Sequence, residues 1–292
     1  MRSARWILGA ALGLLPARPL PALGDPPPVP APAPAPAPTP SPAPAPTASE
    51  EVELEGEAKK KHEQEVKETL AMLRTEKNRE TVAGRIERIG AQGTRAGRDA
   101  LMAFAVGNKN QEYLEKTFRA LAKIGGNKAI DFLCGKNALR SGDFLVQQSA
   151  AEALATAKSP RAVGPLLDVL TDKATKIEVV GAAAKAVAQS APRDERVTET
   201  LFKLTEHVKD TIRAYAVEAL GYLATDDATA RLVDVLVNDK NTRVRGGAAT
   251  GLGNSGRRDV IPHLEKAFEA EQAFTVKDKI QQALKTLERS SG

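Results

Sequence analysis

The sequence predicts an all-α chain, a right-handed solenoid of about six stacked helical hairpins, and three observations predict it. One set of apolar positions, Leu121, Leu154, Val187, Leu220, Leu252 and Leu284, recurs at steps of 33, 33, 33, 32 and 32 residues. Around these positions apolar residues fall three and four apart, the period of a helix, with stop and start signals between them. Aromatic residues make up 4% of the chain while hydrophobic residues reach 42%. Such a core is aliphatic, and strands lean on aromatic and β-branched residues. Two short helices cannot bury their own apolar faces, so successive hairpins must stack into one continuous core.

The chain of 292 residues opens with Met1-Arg2-Ser3-Ala4-Arg5, a basic stretch, followed by an apolar run from Trp6 to Leu15. That run suits a signal peptide and falls short of the roughly 20 residues a membrane-crossing helix needs. Ala22 and Gly24 are the small residues a signal peptidase selects, so residues 1–24 read as a signal peptide cleaved after Gly24. The alternative is a short uncleaved anchor. Its loss removes Arg2, Arg5 and Arg18 and no acid, which takes the formal charge from +5 to +2. A nucleic-acid reader needs a concentrated basic footprint, so no nucleic-acid partner is expected. The predicted location is the periplasm, the cell envelope or the medium of a bacterium.

Residues 25–48 form an Ala/Pro-rich linker, and 15 of the 19 prolines lie at or before Pro46. Proline fixes φ and removes a donor, which favours extended polyproline II reaching on the order of 65 Å over residues 26–46. Residues 49–78 read as a charged leader helix. The acids from Glu50 to Glu57 precede Lys59-Lys60-Lys61, an order that complements the helix dipole.

Residues 79–292 are the repeat domain. One phrase appears as Ala150-Ala151-Glu152-Ala153-Leu154, as Ala216-Val217-Glu218-Ala219-Leu220-Gly221 and as Ala248-Ala249-Thr250-Gly251-Leu252-Gly253. A second phrase follows, as in Val163-Gly164-Pro165-Leu166-Leu167 or Val260-Ile261-Pro262-His263-Leu264. Ser159 before Pro160 matches an N-cap with proline at the first helical position. Asp210 and Thr242 are predicted to cap the helices that carry Arg213 and Arg245.

The segments Ile212–Gly221 and Val244–Gly253 resemble the Val-Arg-x-x-Ala-x-x-Ala-Leu-Gly helix of short HEAT repeats of the phycobilin (PBS) lyase type. The resemblance is clear over residues 144–273 and weaker over 79–143. It implies a ladder between a turn Asp and the Arg opening each second helix, here Asp210 with Arg213 and Asp239 with Arg245. Leu114, Gln147, Val180 and Lys277 interrupt that ladder in the other units. It also implies a concave surface lined by the second helices, bearing Gln147, Gln148, Lys185, Arg213, Tyr215, Glu218, Arg243, Arg245, Lys277, Lys279 and Gln281. These are the candidate partner-binding residues.

Chemistry-bearing residues are sparse. His62, His207 and His263 stand in separate units, and metal sites need three or four converging ligands, so no metal is expected. Cys134, in Phe132-Leu133-Cys134-Gly135, reads as a small core hydrophobe. Gly246-Gly247 and Gly251-x-Gly253 lie inside a predicted helix, where close packing accounts for them better than phosphate binding. No cofactor and no catalytic residue are predicted. The expectation is a non-enzymatic scaffold or adaptor that binds protein partners. Arg243, Arg245, Arg257 and Arg258 stand in a stretch with no acid, which suits partners with acidic segments. The alternative is a bilin-lyase-like enzyme or enzyme subunit.

Overall fold

The fold follows from how short amphipathic helices pair and then stack. A computed structural model describes residues 55–75 and 78–289. The expected signal peptide and Ala/Pro linker lie outside the described residues. The helices come in pairs: α1 (Gly56–Thr75) with α2 (Arg79–Gln92), α3 (Arg95–Ala105) with α4 (Gln111–Ile124), and α5 (Gly126–Leu133) with α6 (Phe144–Ala157). Then follow α7 (Val163–Thr171) with α8 (Ile177–Ser190), and α9 (Glu195–Leu204) with α10 (Asp210–Leu220). The last are α11 (Asp226–Asn238) with α12 (Thr242–Asn254), and α13 (Ile261–Ala270) with α14 (Phe274–Arg289). No β-strand occurs among the described residues.

Two layers result. Each second helix packs along the next, from α2 on α4 through to α12 on α14, and the first helices form a second, looser layer. The repeated apolar positions make the seam: Leu121, Leu154, Val187, Leu220 and Leu252 are wholly buried. Leu284 is only partly buried, because among the described residues no further helix follows α14 to cover it. The chain is thus an all-α solenoid. Its pairs number seven among the described residues, since α1 packs on α3 and takes the place of a first helix.

The helix starts differ by one residue from the predicted caps. Asp210 and Thr242 lie in the first turns of α10 and α12, and Lys209 and Asn241 stand at the caps. Asn241 Oδ1 accepts the Arg243 N–H at 2.9 Å, and it competes better for that role because its amide oxygen reaches the free N–H two residues on. Ser159 precedes a short 3₁₀ turn, Pro160–Ala162, and makes no capping hydrogen bond from its side chain.

The glycines of α12 mark backbone-to-backbone contact. A Cβ on Gly221 would stand 2.1 Å from the Gly251 carbonyl oxygen, and one on Gly247 would stand 2.8 Å from that of Ala214. No side chain fits there, so the Gly-x-Gly pattern serves helix packing. Cys134 is buried, and burial, with a smaller contribution from Asp131, pushes its thiol up to about 11.

Candidate functional site

The second helices begin at turns held by a repeated hydrogen bond. Arg213 Nη1 donates to the His207 carbonyl at 3.0 Å, Arg245 Nη1 to the Asp239 carbonyl at 3.0 Å, and Gln147 Nε2 to the Ser141 carbonyl at 2.8 Å. Each reaches back six residues and ties its helix to the turn before it. The arginines then reach forward. Arg213 Nε meets Asp239 at 3.1 Å and Arg245 Nε meets Glu271 at 2.7 Å, and both pairs are largely buried.

The implied pairs Asp210–Arg213 and Asp239–Arg245 therefore do not form. Each arginine uses the acid of the following turn, where the carboxylate faces the guanidinium fork; Asp210 instead accepts from Asn241 Nδ2 at 2.6 Å. The Arg245 hydrogen bonds hold the Glu271 carboxyl down at about 2, and the backbone N–H groups of Ala273 and Gln272 assist against the opposing effect of burial. Lys277, at the matching position of α14, places its ammonium 5.0 Å from the centre of the Phe268 ring. Gln147, Arg213, Arg245 and Lys277 are thus occupied in holding turns and neighbouring helices.

Other candidate residues meet on the outer face of the second-helix layer. Gln148, Lys185, Tyr215 and Glu218 line a groove of about 430 Å³ that runs over α6, α8 and α10. Tyr215, Glu218, Arg243 and Lys279 line an adjoining groove of about 540 Å³ over α10, α12 and α14. Tyr215 divides the two. Its ring lies against Gly181, where a Cβ would come within 2.9 Å of it. Tyr222 also lines the first groove, and both rings are half-buried. Gln281 is exposed on α14.

The run of four arginines does not form one patch. Arg245 is held by Glu271, and Arg257 pairs with both Asp226 and Asp259. Arg243 alone of the four lines the grooves. The histidines serve turns or solvent: His62 Nε2 shares a 2.7 Å hydrogen bond with Thr94 Oγ1, His207 Nδ1 accepts the Lys209 N–H, and His263 is exposed. No metal-binding cluster occurs among the described residues.

A larger cavity, about 980 Å³, lies in the other layer between α9 and α11, lined by Phe202, Arg231, Thr198, Ala230 and Pro192 among others. The Arg231 guanidinium stands over the Phe202 ring at 6.0 Å. None of the candidate residues lines it. The cavity depends on how far two first helices part, and that separation leaves no mark in hydrophobic spacing.

Paired helices whose second members stack into a grooved face define an α-helical repeat solenoid. The chain belongs to the HEAT-repeat family: the family of HEAT repeats matches residues 136–214 and 198–285. No curated protein matches it. Among solved structures it is similar to the complex of CpcE and CpcF of phycocyanin lyase from Nostoc, at 18% identity and a TM-score of 0.49, covering 85% of this chain and 100% of that one. It is also similar to human deoxyhypusine hydroxylase in complex with glycerol, at 17% identity and a TM-score of 0.41, covering 80% of this chain and 99% of that one. With a lyase and a hydroxylase among similar structures, the expectation that this chain is not an enzyme no longer stands.

Proposed function

We propose that the outer face of the second helices docks a partner protein, and that the chain does so as a scaffold or adaptor exported to the bacterial cell envelope. The observation that carries this reading is the pair of adjoining grooves on either side of Tyr215, built from side chains of successive repeats. An aromatic anchor between two clefts, with polar side chains around it, is the anatomy of an interaction surface.

Charge gives the partner a direction. The groove over α10 to α14 carries Arg243 and Lys279 against Glu218 alone. The groove over α6 to α10 carries Glu152, Glu178 and Glu218 against Lys185 and Arg119, and Arg119 is already paired with Glu115. A partner segment with an acidic end over Arg243 and Lys279 and a basic end over Glu152 and Glu178 complements both. Export rests on the sequence of residues 1–24.

Photo-crosslinking in intact cells tests the binding. A crosslinker at Lys185 and, separately, one at Lys279 should capture the same protein, and the combined Tyr215→Ala and Arg243→Glu changes should abolish both captures. Capture that persists in that variant, or that occurs equally from Glu199 on the other layer, would refute it.

A further inference from the structure

In a solenoid of paired helices, every turn from a first to a second helix lies along one edge, and every return turn lies along the opposite edge. The two edges of this chain differ in chemistry. Six of the seven exposed large apolar side chains among the described residues stand on the first edge: Val106, Phe144, Leu145, Val208, Val237 and Phe274. Val208 is 90% and Phe274 83% exposed. The same turns carry exposed lysines at Lys109, Lys136, Lys173, Lys176, Lys209 and Lys240.

Three acids near this edge are ion-paired, while Glu112, Asp143, Asp172 and Glu178 are exposed without an ion pair among the described residues. Asp239 and Glu271 are held by Arg213 and Arg245, and Glu206 is held by Arg231. Asp143 and Asp172 are exposed and accept backbone N–H groups of their own turns. No ion pair involves any of the six lysines among the described residues. A groove of about 370 Å³ opens between two neighbouring turns, lined by Val208, Lys209, Arg213, Lys240 and Asn241 among others, with one acid, Asp210, whose carboxylate accepts from the Thr211 N–H and from Asn241 Nδ2.

The return edge serves as an internal contrast. Three of its arginines are matched to acids, Arg161 with Asp131, Arg196 with Asp194, and Arg257 with Asp226 and Asp259, while Lys158, Arg193 and Arg258 are exposed there without an ion pair among the described residues. None of the exposed large apolar side chains lies there. Lysine ammoniums interleaved with bare valine and phenylalanine suit a surface that is anionic outside and hydrocarbon beneath.

We propose that the edge of first-to-second turns is a peripheral docking edge for an anionic phospholipid bilayer. The lysines meet lipid phosphates, Val208, Val237 and Phe274 enter the headgroup zone, and the cleft between Lys209 and Lys240 receives a headgroup. The docking face of the second helices is left free. No helix among the described residues is long and apolar enough to cross a membrane, so this contact is interfacial.

Flotation of the full chain with vesicles tests this, using phosphatidylcholine alone and phosphatidylcholine mixed with phosphatidylglycerol. The apolar run near the N-terminus is common to all variants, so the comparison between variants is decisive. The anionic vesicles should bind more protein, and each of Lys209→Gln and Lys240→Gln should lower that excess about fivefold. Val208→Ser with Phe274→Ser should remove the part that survives high salt. Circular dichroism of each variant establishes that it is folded.

A second readout isolates the edge itself. The raised thiol pKa of buried Cys134 lets a polarity-sensitive dye be attached selectively at Val208→Cys. Its emission should shift to the blue on anionic vesicles, while a dye at Arg193→Cys on the return edge should not shift. Equal binding to both vesicle types, lysine variants that bind like the parent, or equal shifts at the two dye positions would overturn the proposal. So would retention by an acidic polypeptide alone with no vesicle binding.

Discussion

At the level of single residues, the two forward-reaching arginines are the most consequential polar groups, and their effect is testable through pH. The Glu271 carboxyl titrates near 2 in the folded chain against an ordinary value of 4.5. A carboxyl lowered by folding stabilises the fold fully above its unfolded value, and that stability is lost as the pH falls through about 4.5 toward 2. Urea unfolding of the parent should show this loss over that window, and Glu271→Gln should show a shallower one. Arg245→Met leaves a buried carboxylate without its partner and should cost about 3 kcal/mol near neutral pH. Arg140→Met removes an ion pair that is open to solvent on both sides and should cost less than about 0.5 kcal/mol. The ladder partners were hard to read from sequence for a definite reason. Asp210 lies three residues before Arg213 and looks like its mate, whereas the acid that binds it is Asp239, brought close only by the stacking of the next pair.

At the level of helices, the repeat was legible because burial selects the same position in every second helix, so the 33-residue rhythm is the contact pattern itself. The first helix pair was not legible as such. Among its core residues α1 buries only Val66 and Leu73, too thin a stripe to reveal that it packs like the first helix of a repeat. Six of the groove-lining residues, Gln148, Lys185, Tyr215, Glu218, Arg243 and Lys279, are named from the family resemblance, but the division into two grooves rests on Tyr215 lying across Gly181 of the neighbouring helix. Glycine gives the sharpest test at this scale, because one substitution should act with opposite signs at two sites. A Cβ on Gly251 would come within 2.6 Å of the Val217 carbonyl oxygen, while one on Gly84, exposed in mid-helix, meets nothing within 4 Å. Gly251→Ala should therefore destabilise by about 3 kcal/mol through overpacking. Gly84→Ala should stabilise by about 1 kcal/mol through helix propensity. Denaturant midpoints measured in parallel decide both, and two shifts of the same sign would refute the close contact of α10 with α12.

At the level of the whole molecule, stacked pairs make stability a sum over neighbours, so the middle and the ends should open at different free energies. The helices α4, α6, α8, α10 and α12 each have a second helix on both sides, while α14 has one and α1 rests mainly on α3. Hydrogen exchange followed by mass spectrometry should rank protection accordingly, slowest in the second helices α4, α6, α8, α10 and α12, intermediate in α14 and fastest in α1. Exchange of every helix at one common rate would mean that the chain opens as a single cooperative unit and that the nearest-neighbour description fails. The same ordering bears on the proposed docking face. A protein that spans both grooves touches α6 through α14 and links repeats that otherwise communicate only through their neighbours. Its binding should therefore slow exchange in α14 more than in α8, because α8 is already held from both sides and the terminal helix gains the larger share of new support.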